Sequence, residues 1–173
     1  MKKILFILLI LIPFFSCQKW MKDEELTIVK QPYDGNELRL DGYYYYMHDG
    51  IIFDTYFFYR SGVLIYGGAS GPDYIDPINN IDHVFLSDAF VHSLHKDNYG
   101  VFLIQGDSIV FEKWGLIQGP KPVDRYSGKI MNDTTFIINR TESPYSGEYH
   151  QNERLFHFHA FFPKPDSTNI YVP

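Results

Sequence analysis

The chain has 173 residues, 45% of them hydrophobic and 21% charged, which fits one globular domain and excludes a disordered chain. A net charge of −6 excludes a general nucleic-acid footprint, which needs a basic surface. Aromatics reach 18%, with 15 Phe, 14 Tyr and 2 Trp, so rings with polar tips must serve wet as well as dry positions.

The first element is Met1-Lys2-Lys3 followed by the apolar run Ile4 to Phe15. A basic start and a run of this length predict a signal peptide and fall short of the ~20 residues a membrane-spanning helix needs. Cys17 follows directly and is the only cysteine, so no intramolecular disulfide can form. The order Phe14-Phe15-Ser16-Cys17, apolar and then small before the cysteine, resembles the lipobox of bacterial lipoproteins. The resemblance implies a leader over 1–16, a diacylglyceryl thioether on Cys17 and partnership with a membrane through that anchor. Two or three acyl chains hold a protein stably where one does not.

Residues 17–25 read by composition as a solvated, lipidated tether. The run Lys22-Asp23-Glu24-Glu25 also resembles the charged export signals of surface lipoproteins. Two locations follow for an outer-membrane anchor, the cell surface and the periplasmic face.

From Leu26 the hydrophobic period is two, the signature of strands. The stretch Tyr43-Tyr44-Tyr45-Tyr46 sends Tyr43 and Tyr45 to one face and Tyr44 and Tyr46 to the other. Asp49-Gly50 then separates it from Ile51 to Arg60, a strong hairpin signal because both turn residues tolerate positive φ. Ser61-Gly62 precedes Val63 to Tyr66 and predicts a second hairpin. Gln105 to Ser108 predicts a third, and Asn132-Asp133 a fourth. Asn79 to Asn98 interrupts the pattern and predicts one helix near 80–97, with Ser87 as a cap. Arg154 to Phe162 reads as a last strand, and the proline-rich tail from Pro163 as extended and partly exposed.

Tight connections force antiparallel pairing. The expectation is a single all-β domain over 26–173, an antiparallel meander of about eight strands with one inserted helix. That arrangement resembles a lipocalin-like barrel or half-barrel. The resemblance implies an interior either plugged by side chains or open to one small ligand.

Tyr43, Tyr45, Tyr56, Phe58 and Tyr66 are the candidate ligand-binding residues, because flat faces and hydroxyl tips suit a small apolar, ring-shaped or glycan-like ligand. The same rings read equally as packed core. Displayed outward instead, they would form a patch for an envelope protein partner. His157 and His159 lie ~7 Å apart on one strand face and are weak metal candidates that need a third ligand such as His150 or Glu148. His92 and His95 sit three apart on the predicted helix without an acidic motif partner. Gly67 to Gly71 lacks the Lys-Ser/Thr of a phosphate cradle. No nucleophile elbow is present, and no cofactor or catalytic motif is implied. The sequence thus points to a non-catalytic binder or an assembly accessory.

Overall fold

The computed structural model describes residues 22–71 and 75–172. The expected leader and Cys17 lie outside the described residues. Eight strands run as β1 (Gly42–His48), β2 (Ile51–Phe58), β3 (Val63–Tyr66), β4 (Tyr99–Gln105), β5 (Ser108–Trp114), β6 (Val123–Asn132), β7 (Thr135–Glu142) and β8 (Tyr149–Ala160). Each pairs with the next, and β8 returns antiparallel to β1, so the meander closes into a barrel without an edge. The lipocalin-like all-β arrangement expected from the hairpin signals is the one observed. At the first turn Asp49 and Gly50 have φ of 49° and 76°, the mirror-image turn that matches strand twist.

The helical segment between β3 and β4 is split in two. Helix α1 (Pro77–Phe85) starts at Asp76, whose carboxylate accepts from the Asn79 N–H at 3.0 Å. Helix α2 (Asp88–His92) starts at Ser87, whose hydroxyl accepts from the Phe90 N–H at 3.2 Å. The Ser87 cap was legible in the sequence, and it interrupts the helix where one continuous helix was expected; Asp76 was not expected as a cap. A short 3-10 turn (Lys96–Asn98) leads into β4.

The two faces of the strands enter two cores. Tyr44, Tyr56, Phe58, Leu64, Phe111 and Phe156 point into the barrel. There Phe136 stacks on Phe156 at 4.8 Å, and Phe111 on Tyr126 at 4.8 Å. Tyr43, Phe57, Ile65 and Trp114 point outward and are covered by Ile81 and Phe85 of α1, Phe90 of α2, and Phe161 and Val172 of the tail. Each fully buried ring of this kind is worth ~1.5–3 kcal/mol relative to exposure.

The barrel ends differ. At the end where β1 begins, the segment 31–41 crosses the opening and sends Tyr33 and Leu38 into the interior core. Its backbone is fixed there by Tyr33 N–H to Arg60 C=O and Arg39 N–H to Asp133 C=O, both 2.9 Å. That end is plugged. The opposite end carries the β1–β2 turn, the helical β3–β4 connection, the β5–β6 loop and the β7–β8 loop; we call it the open end.

Residues 22–25, expected as solvated tether, are bound to the barrel wall. Asp23 accepts from the Lys121 N–H at 2.7 Å and from Lys96 Nζ at 2.7 Å. The Glu24 carbonyl accepts from Trp114 Nε1 at 2.8 Å. Their partners come from remote loops, which composition does not reveal.

The tail is irregular and partly exposed, as expected, yet pinned. Lys164 Nζ donates to the carbonyls of Leu40 and Phe58, both at 2.7 Å. Burial depresses its pKa to about 8, opposed by the charge of Asp41. Free lysine titrates near ~10.4, so between these values the unfolded chain holds more protons than the folded one. Stability therefore rises with pH from ~8 to ~10.4 and is lost as pH falls back through the lower value. Denaturation midpoints should show this rise in wild-type protein relative to Lys164→Met; parallel profiles across the window would contradict it.

Candidate functional site

Four strands carry a charged inward-facing residue toward the open end, and each lies two residues from an inward aromatic. The pairs are Asp54 with Tyr56 on β2, Lys113 with Phe111 on β5, Asp124 with Tyr126 on β6, and Arg154 with Phe156 on β8. Strand alternation places each charge one layer above its ring. The result is a polar layer lying on an aromatic floor.

Arg154 organises the layer. Its guanidinium donates to Asp54 Oδ2 at 2.8 Å and to Thr141 Oγ1 at 2.9 Å. It also lies 5.2 Å above the Tyr126 ring, a cation–π distance. Lys113 is 4% exposed. Its ammonium donates to the Trp114 carbonyl at 3.2 Å and faces the Tyr66 ring at 4.5 Å. Burial pushes the Lys113 pKa down against the pull of Asp124, and pushes the Asp124 pKa up against the pull of Lys113. Both groups are thereby moved toward neutrality, the usual outcome for charges short of solvent. The Tyr66 hydroxyl is pushed up to about 12, first by burial and then by the charge of Asp54.

Two polar atoms in this region are buried without a hydrogen-bond partner among the described residues, Tyr56 Oη and Arg154 Nε. Tyr56 is 0% exposed. Leaving such an atom unpaired costs ~1–3 kcal/mol, so each calls for a partner, water or ligand, beyond the described residues.

A cavity of about 340 Å³ opens in front of the layer, lined by Tyr46, His48, Phe53, Asp54, Asn152, Glu153 and Arg154. A cavity of about 670 Å³ lies elsewhere, between residues 22–30 and the outer wall at Val101, Trp114, Tyr171 and Val172. Volume favours the second. Chemistry favours the first, because the charged pair lines it and an unpartnered buried atom belongs to that pair.

The predicted ligand-binding residues divide between the two faces. Tyr56, Phe58 and Tyr66 enter the barrel. Tyr43 and Tyr45 lie outside it, so that expected grouping is corrected. Tyr43 donates to Asp82 of α1 at 2.8 Å, and its ring is 5.2 Å from Phe85. The parity is reversed because Tyr44, opposite Tyr56, is the inward member of the run. Phe58 sits deep, 5.0 Å from Phe102 and 5.8 Å from Tyr44. It floors a packed core and lines no cavity described here. Of the five predicted residues, Tyr56 and Tyr66 adjoin the polar layer.

His157 and His159 share the outer face of β8. His159 Nε2 is 3.0 Å from Asp82 Oδ2, while His157 lies 6.0 Å from the Tyr45 ring. His150 is nine positions before His159 on the same strand, ~30 Å away along it. Among the described residues no three potential ligands converge.

Asp54, Lys113, Asp124 and Arg154 were missed by motif reasoning. Their signal was a charge replacing the next apolar residue on an inward face, repeated at the same end of four strands. The chain matches no protein-family model, no curated protein and no solved structure. No helix among the described residues is long and apolar enough to cross a membrane, which says nothing of strands.

Proposed function

We propose that this protein is a lipid-anchored component of a bacterial cell envelope and a non-catalytic binder of a small, hydroxyl-rich, ring-shaped ligand at the open end of its barrel. The anchor rests on Cys17 and the leader-like run before it. The ligand reading is carried by one observation, the buried and unpartnered Arg154 Nε beside a cavity that Arg154 itself lines. Rings at Tyr46 and Phe53 offer flat faces to a ligand. Asp54 and Arg154 offer an acceptor and donors to its hydroxyls. A wholly apolar ligand is disfavoured, since the aromatic part of the interior is filled by its own rings and the space that remains is charged.

Mass spectrometry of small molecules released from protein purified out of its host tests this. A glycan-like compound should be retained by wild type and lost from Phe53→Ala, which removes an exposed ring lining the cavity. A sample that releases no small molecule in either form overturns the reading. The alternative is an assembly accessory, favoured by Val84, Leu86 and Val91 standing exposed on the helical segment. A polypeptide copurifying in their place would establish it.

A further inference from the structure

We propose that the β5–β6 loop, with Leu116 and Ile117, is the surface on which the barrel rests against the bilayer holding its anchor. The inference deepens the anchored reading and depends on it.

Its basis is where residues 23 and 24 are fastened to the barrel. Asp23 is held by Lys96 and Lys121, and Glu24 Oε2 accepts from the Val123 N–H at 2.6 Å. The Glu24 N–H donates to the Lys121 carbonyl at 2.9 Å. The chain is thus fastened to the descending limb of the loop that joins β5 to β6. Cys17 precedes Asp23 by six residues, a reach of at most roughly 20 Å. An acylated Cys17 therefore keeps the membrane boundary within that distance of this loop, whatever path the intervening residues take.

The loop surface suits that neighbour. Leu116 and Ile117 are adjacent in sequence and 57% and 50% exposed. Lys121 Nζ donates to the Ile117 carbonyl at 2.7 Å, which ties the pair to the anchor exit. Tyr145 of the β7–β8 loop stands on the other side of the exit, and its hydroxyl donates to the Glu25 carbonyl at 2.8 Å. It is 54% exposed. Single exposed aliphatics need no explanation. Here two aliphatics and a tyrosine lie in loops tied to residues 23–25, and tyrosine favours the membrane–water interface. Of the acidic groups there, the Asp23 and Glu24 carboxylates are engaged by the barrel, and Glu25 is exposed.

The test uses the full chain expressed with its own leader. Leu116→Cys, Ile117→Cys and Met131→Cys receive an environment-sensitive thiol probe; Met131 is 61% exposed at the plugged end. The proteins are placed in phosphatidylethanolamine–phosphatidylglycerol vesicles with brominated acyl chains. Apolar groups at an interface sit ~5–10 Å into the headgroup–acyl boundary, so the probes at 116 and 117 should be quenched and that at 131 unaffected. Equal quenching at all three positions, or none at 116 and 117, overturns the inference. The parent protein separates the two levels. If it takes no thiol reagent, Cys17 is occupied and the result reports on orientation alone. If it is labelled, Cys17 is free; the anchored reading fails and the inference falls with it.

Discussion

Arg154→Ala should lower stability by ~3–5 kcal/mol, because truncating one member of a buried ion pair strands the other charge. Arg154 and Asp54 are mostly buried, and no other cation reaches Asp54 within ion-pair distance among the described residues. The substitution also removes the contact with Tyr126 and the donor to Thr141. For a chain of this size each kcal/mol moves Tm by ~2–4 °C, so thermal unfolding should shift by on the order of 10 °C. An unchanged midpoint would mean that water already serves the pair. Replacing both partners, as Asp54→Leu with Arg154→Met, should restore much of the loss, since paired buried charges contribute little net stability over apolar groups of similar size. A double variant that folds well and binds nothing would identify the pair as a recognition device rather than a brace.

Glu112→Ala should have a comparable cost, ~3–5 kcal/mol, and a second, local effect. Glu112 is 0% exposed on the outer wall. Its carboxylate accepts from the N–H groups of Thr27 and Ile28 at 2.6 and 3.0 Å, from Thr27 Oγ1 at 2.7 Å and from Arg125 Nε at 2.8 Å. Without it the backbone of the amino-terminal segment loses two acceptors, and Arg125 loses its closest counter-charge. Limited trypsin digestion should then cut after Lys30 in the variant, at a rate well above wild type. Equal cleavage rates would show that the segment is held by its other contacts. The variant also bears on orientation, because a released segment frees the barrel from the anchor exit at Asp23.

The meander was legible because its turns carry their own chemistry. Asp49-Gly50 and Ser61-Gly62 specify tight reversals whatever surrounds them, and Gly62 indeed adopts a φ of 83°. The inward face was not legible. Alternation marks an inner face only when the outer one is wet, and here the helices and tail keep much of the outer face of β1–β3 dry. All four residues of β3, Val63 to Tyr66, are buried, so the strand shows no polarity to read. The tyrosine run fails for the same reason: Tyr43 is as hidden under α1 as Tyr44 is inside the barrel. The polar layer was written two residues from an inward ring on four strands, but its members are 100 residues apart in the case of Asp54 and Arg154. Only barrel closure brings them together. The charges at 22–25 misled in the opposite direction, reading as solvated when each carboxylate of Asp23 and Glu24 has a partner on the barrel wall.

The most direct test of the binding site is a high-resolution crystal structure of the protein purified from its own host. The account predicts density for an organic ligand in the cavity before Asp54 and Arg154, hydrogen-bonded to Arg154 Nε. Ordered water alone on that atom, with no ligand in the cavity, would contradict it.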